Sequence, residues 1–138
     1  MRIMGLDIGD KTIGVAVSDP LGWTAQGIKT IRRVGIKSDI NEIISMIKEY
    51  NVEKIVAGYP INMNGTIGPR AESIVKFCDR LKAAAGVDLV LEDERLTTVA
   101  AQKMLIDADV RREKRKKVID TVASTYILQT YLDRINRH

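Results

Sequence analysis

Residues 5–20, GLDIGDKTIGVAVSDP, decide how this chain is read. The apolar run Ile3 to Ile8 carries one carboxylate, Asp7, among otherwise greasy residues. Gly9, Asp10, Lys11 and Thr12 supply turn chemistry, and Ile13 to Val17 is a second apolar run rich in β-branched side chains. Two such runs joined by a tight polar turn spell a β-hairpin. An acid inside a buried strand is costly unless it is paired or holds a cation. From this stretch alone Asp7 has two readings: an acid that caps the turn or pairs with Lys11, and a functional carboxylate.

Outward from the hairpin, Gly22-Trp23 marks a turn and Gly27 to Ile31 predicts a third strand. Asp39 and Glu42 have capping-box spacing, which predicts a helix beginning at Asp39, with Ile40, Ile43, Ile44 and Ile47 as its apolar stripe. That helix should end near Tyr50-Asn51, and Val52 to Gly58 reads as a buried strand. Tyr59 to Gly68 is loop-forming throughout. Pro69 suits the first position of a second helix, whose inward face is Ala71, Ile74, Val75, Cys78 and Leu81 and which stops at Gly86. Val87 to Leu91 is another short strand, delivering Glu92-Asp93-Glu94-Arg95 at its end. Thr97 or Thr98 can cap a helix carrying Val99, Ala100, Met104 and Leu105. Asp107 to Lys117 reads as a polar, basic connection, and Val118 to Asn136 as the last helix. The order predicts an α/β fold: a mixed five-stranded sheet, antiparallel at its N-terminal hairpin, with helices on both faces. The parallel strands would be the first, fourth and fifth, joined by right-handed crossovers.

The 138 residues suit a single domain, 1–138. A hydrophobic content of 45% beside 29% charged residues is ordinary for a globular protein, and no apolar run reaches a membrane span of ~20 residues. The chain enters a strand with no signal-peptide pattern, and its one cysteine excludes an internal disulfide or a cysteine-cluster zinc site; a cytoplasmic protein with no membrane partner is the expectation. Cys78, with no histidine near it in sequence, reads as core. Net charge is +4, but Arg111 to Lys117, RREKRKK, alone carries +5, so the remainder sums to −1. Such a run (Arg111, Arg112, Lys114, Arg115, Lys116, Lys117) is a candidate phosphate-backbone contact, and a solvated loop otherwise.

Ligand sites in sheets of this kind form at the carboxyl ends of parallel strands. Asp7 lies on the first strand, and Asp93 and Glu94 lie just past the fifth. Asp120 sits near the start of the last helix beside Val118, Ile119 and Val122, where a first-turn acid facing the helix dipole is its plain explanation. Three acids from three distant segments, collected in one cleft, would repel unless a cation enters. Oxygen donors with no cysteine or histidine nearby select Mg2+ or Mn2+ over zinc. Beside a basic segment, such a cluster suits in-line hydrolysis of a phosphodiester.

Four motifs, GLDIGDKTIGVAVSD, GYPINMNGT, EDERLTT and KKVIDTVAS, together resemble the YqgF-type family of Holliday-junction-resolvase-like proteins associated with maturation of the pre-16S rRNA 5′ end. The resemblance spans nearly the whole chain. It implies a ribonuclease-H-like fold and an acidic triad falling here on Asp7, Glu94 and Asp120. Three positions, in two of the motifs, depart from the family pattern. Asp10 stands where the turn often carries threonine or serine, and Tyr59 and Asn64 replace leucine and aspartate in the GLPLNMDGT loop. Asp10 adds negative charge near Asp7; neither departure removes a triad residue.

The expectation is therefore a metal-dependent endonuclease acting on structured nucleic acid, pre-rRNA or branched DNA. Lys11 and the basic run are candidate backbone contacts, and Lys117, three residues before Asp120, is a candidate for the scissile or adjacent phosphate. Asn62, Asn64, Gly65 and Thr66 form a candidate substrate loop, with a simple turn as the plainer reading. Trp23 and Tyr59 are candidates for base stacking, or packing residues near turns. Two-fold cleavage of a four-way junction would need paired subunits, so a homodimer is carried as an expectation. Two other readings stand beside the enzyme: a non-catalytic nucleic-acid-binding module, and a nucleotide-binding protein of the actin-like ATPase type. The second needs two such domains with two hairpin motifs, and only one motif is present.

Overall fold

A computed structural model describes residues 2–60, 65, 67–93 and 112–136; over 112–120 it describes the course of the helical backbone. Five strands, β1 (Arg2–Ile8), β2 (Thr12–Ser18), β3 (Ala25–Arg32), β4 (Val52–Tyr59) and β5 (Asp88–Asp93), form one sheet in the order β3-β2-β1-β4-β5. β1 pairs antiparallel with β2 and parallel with β4, and β4 pairs parallel with β5. The expected mixed sheet, with parallel first, fourth and fifth strands, is thus observed.

Strand alternation sends successive side chains to opposite faces, and each face has its own core. On one face, Met4, Leu6 and Ile8 of β1, Ile13, Val15 and Val17 of β2, and Ile55 and Ala57 of β4 pack against α1 (Ile36–Tyr50) and α2 (Pro69–Ala85). The other face gathers Ile3, Ala16 and Val56 under Ala123, Ile127, Leu128, Tyr131 and Leu132 of α3 (Arg112–Ile135). Cys78 lies in the first core, as expected, and burial pushes its thiol up to about 12.

Glycines mark where α3 approaches most closely. A Cβ on Gly5 of β1 would stand 2.7 Å from Leu128 Cβ and 2.9 Å from the Ser124 carbonyl, so only glycine fits beneath the helix. Gly27 of β3 sits under Thr121 and Thr125. The C-terminal part of α3 is fastened to the β2–β3 turn. Gln129 accepts from Ala25 N–H and donates to the Trp23 carbonyl, and Asn136 donates to the Gly22 carbonyl.

Three boundaries in particular differ from expectation. β5 continues through Glu92 to Asp93, so Asp93 is the last residue of the strand rather than lying just past it. α1 begins at Ile36 after Gly35 rather than at Asp39. The Asp39 carboxylate does not cap the helix; it accepts from Val34 N–H and from the Arg33 guanidinium, binding the end of β3 to the helix's first turn. The basic run was expected in a connection, yet Arg112 to Lys117 is the opening of α3. Arg, Lys and Glu are good helix formers, and Glu113 stands four residues before Lys117, the order that supports a helix. The helix predicted after Thr97 or Thr98 lies outside the described residues.

Candidate active site

Asp7 is the penultimate residue of β1 and only 8% exposed. It shares a face with Ile3 and Gly5, the α3 side, because the residues between them fill the opposite core. Its neighbour on β2 is Gly14, and on β4 the pair after Leu6–Ala57 brings Gly58 alongside. The carboxylate therefore stands in a row whose adjacent positions carry no side chain. That is the local arrangement a buried acid needs if something larger than a methyl group is to reach it.

The helix supplies a second coordinate. Ser124 and Leu128 lie over Gly5, and Asn136 lies at the β2–β3 turn, the end of the sheet opposite to where β1 finishes. Following α3 backwards from Ser124 therefore leads toward the end of β1. Asp120 is four residues before Ser124, about 6 Å along the axis and on the same helical face. Asp7 is two residues beyond Gly5, about 6.6 Å along the strand and on the same sheet face. From one point of contact the two positions advance by similar distances in the same sense. Lys117 occupies the same helical face one further turn out. Asp120 is the ninth residue of α3, not a first-turn acid, so the dipole explanation of its presence loses its basis.

The remaining predicted residues fare differently. Glu94, Asn62, Asn64, Thr66 and Arg111 lie outside the described residues. Gly65 is exposed with φ 87°, a conformation that favours glycine, consistent with a turn. Lys11 and Asp10 are exposed on the turn beyond Asp7, where the Gly9 N–H donates to the Thr12 carbonyl at 2.8 Å. Trp23 is exposed, while Tyr59 is half-buried. Among the described residues no three His, Cys, Asp or Glu side chains come together as a metal site.

Of the acids at the end of β5, Glu92 is excluded from such a site by its partner. It is 1% exposed, and both its oxygens accept from the Arg134 guanidinium on α3, the second contact at 2.7 Å. That contact is a structural clamp between β5 and the end of α3. Its sequence trace is only that Glu92, Asp93 and Glu94 are consecutive acids, which leaves open which of them is consumed by the fold.

The sheet order and the helices on both faces define an α/β fold of the ribonuclease-H-like type. The chain matches the family described as "RuvX: Holliday junction resolvase" over residues 1–134, and it belongs to that family. A protein of Clostridioides difficile named "Putative pre-16S rRNA nuclease" is 63% identical over 132 residues, covering 96% of this chain and 94% of the relative. One of the same name from Clostridium tetani is 58% identical over 135 residues and 98% of both chains. Among solved structures, T. thermophilus RuvC in complex with a Holliday junction substrate superposes with a TM-score of 0.61 over 99% of this chain and 97% of that one; at 10% identity this speaks to the fold. Among the described residues no helix is long and apolar enough to cross a membrane.

Proposed function

We propose that this chain is a divalent-metal-dependent endonuclease hydrolysing phosphodiester bonds in structured nucleic acid. The reaction its relatives' name indicates is cleavage of pre-16S rRNA; resolution of branched DNA is the activity carried by the family's description. The observation that supports this most is Asp7, buried at the end of the central strand between glycine positions and beneath the helix that carries Asp120.

The donor chemistry fits a hard cation. The candidate ligands are carboxylates, the only cysteine is buried in the core on the other face of the sheet, and the only histidine is the final residue. Asp7, Glu94 and Asp120 would hold Mg2+ or Mn2+. A bound divalent ion would polarise the phosphoryl oxygens and lower the pKa of a coordinated water. The protein's own part is to hold the carboxylates together on rigid elements and to set the backbone in line. Lys117, on the Asp120 face of α3, is placed in this reading to meet negative charge that develops on the phosphate. The protein acts as one nuclease domain over residues 1–138, and pairing of two subunits would serve two-fold cleavage.

The test is incubation of labelled pre-rRNA and of a four-way DNA junction with Mg2+, Mn2+ or EDTA. Cleavage is expected with either metal and not in EDTA. Asp7→Asn should abolish cleavage, leave nucleic-acid binding near wild type, and raise stability in metal-free buffer if the carboxylates repel. Wild-type turnover by that variant at equal metal removes Asp7 from the mechanism. Binding without metal-dependent cleavage of either substrate leaves the non-catalytic module as the reading.

A further inference from the structure

The face of the sheet away from α3 carries a cavity of about 410 Å³ between the start of α1 and the middle of α2. Arg33, Ile36, Lys76, Phe77, Asp79 and Arg80 line it. The three cations differ in what they already do. Arg33 is committed: its guanidinium donates to Asp39 at 3.1 Å and to the Gly9 carbonyl at 2.8 Å, and lies 5.1 Å from the centre of the Phe77 ring. Lys76 and Arg80 stand one helical turn apart on α2, exposed, and among the described residues neither side chain has an ion pair or hydrogen bond. The cavity thus presents two uncommitted positive charges on one rim. Ile36, 40% exposed, and the Phe77 edge make an apolar floor.

Its position gives those charges a use. Arg33 joins the cavity wall to the Gly9 carbonyl, two residues beyond Asp7, so the cavity opens one side chain away from the catalytic turn. A strand held at the Asp7 end of the sheet and continuing over that turn would arrive here, on the face that the basic opening of α3 does not serve. The chemistry that matches is a sugar-phosphate backbone: phosphate oxygens toward Lys76 and Arg80, a sugar or base against Ile36. Duplex is too wide to seat its bases in a cavity of this volume, whereas a single strand has bases free to enter.

We infer that the α1–α2 cavity is a second nucleic-acid contact that receives a single-stranded extension of the substrate beyond the cleavage point. This rests on the nuclease reading above and adds to it a requirement on substrate form. Asp79 on the same rim opposes a phosphate, so its removal and the removal of the cations should act in opposite directions.

The experiment measures binding in EDTA, across a salt series, of a labelled RNA stem with a ten-nucleotide single-stranded 5′ extension and of the same stem blunt-ended. With Lys76→Gln/Arg80→Gln, the slope of log K against log salt on the extended stem should fall by about 1.4, two contacts at about 0.7 each on a single strand. The blunt stem should bind that variant as it binds wild type, and the turnover number at saturating substrate should be unchanged. Asp79→Asn should tighten the extended stem alone, and Lys76→Arg/Arg80→Lys should restore the wild-type slope. A wild-type slope in the double glutamine variant, or an equal loss on the blunt stem, overturns the inference and leaves the nuclease reading intact. A wild-type protein that binds neither stem overturns both.

Discussion

A methyl group on Gly5 has no room: the nearest atoms are the Leu128 side chain and the Ser124 carbonyl of α3, and the second of these cannot step aside without moving the helix. Gly5→Ala is therefore expected to destabilise by about 1–3 kcal/mol, the usual penalty for overpacking a close contact. Because the shift must fall on α3, which also bears Asp120, cleavage should drop by more than the fraction unfolded explains. Denaturant unfolding together with turnover at low temperature, where the variant stays folded, checks this; full activity in the folded variant would uncouple the Gly5 contact from the site. Asp7 was legible in the sequence because a carboxylate in an apolar strand is incongruous. Gly5 was not, since a glycine two residues before it could as well have served a bulge, and the need for it arises only from Ser124 and Leu128 on the last helix. Glu92 shows the converse problem: beside Asp93 and Glu94 it is indistinguishable by type, and only the Arg134 clamp reveals that the fold uses it.

At the level of elements, the strands were legible to within two residues at either end, most closely β1, β2 and β4, which are short apolar runs bounded by turn residues. The helix starts were less so. Asp39 and Glu42 have capping-box spacing, but Arg33 draws Asp39 into a different contact, and the helix begins three residues earlier at Ile36. In the sequence the charge of the basic run suggests a connection, whereas its helix-forming residues open α3. In a helix Arg112 and Lys116 are spaced about one turn apart and Lys114 about half a turn from each. Replacing Arg112, Lys114 and Lys116 by glutamine should therefore flatten the salt slope of duplex binding by about 0.9–1.8 units, one or two contacts rather than three. The loss should be alike across sequences, since phosphate contacts position without reading bases. An unchanged slope would make the run a solvated helix end. The β2–β3 turn offers a separate test. Asp19 accepts from the Thr24, Trp23 and Leu21 N–H groups, and these, Thr24 first, hold its carboxyl below the usual 3.8. A depressed value means the contribution is present above pH 3.8 and lost as pH falls through the lowered one. Trp23, the sole tryptophan, sits in that turn, so its fluorescence should change only below that range, and Asp19→Asn should remove the transition.

For the molecule as a whole, Cys78 reports on global opening. Its thiol is buried in the core under α1 and α2 and raised to about 12 by desolvation, with Asp79 adding to the effect. The unfolded chain regains the ordinary value near 9, so it loses its proton first on going alkaline. Stability should be unaffected by this group below pH 9 and should decline as pH rises from there toward 12. At pH 8 an alkylating reagent should modify Cys78 only as fast as the core opens; modification at the rate of a free thiol in folded protein would contradict the packing described.

Because α3 follows every strand in the chain yet rests on the first of them, the order of synthesis sets the order in which the two cores can close. A ribosome that has delivered β1 through β5 has released a sheet with one clothed face and a bare one, on which Ile3, Ala16, Val56 and Glu92 await partners contributed by residues 123–134. Asp7 lies on that bare face, so a copy translated only through β5 holds a buried-strand carboxylate without the helix that covers it. The second core therefore closes only once α3 has left the ribosome, and until then its apolar face is open to chaperones or to other chains.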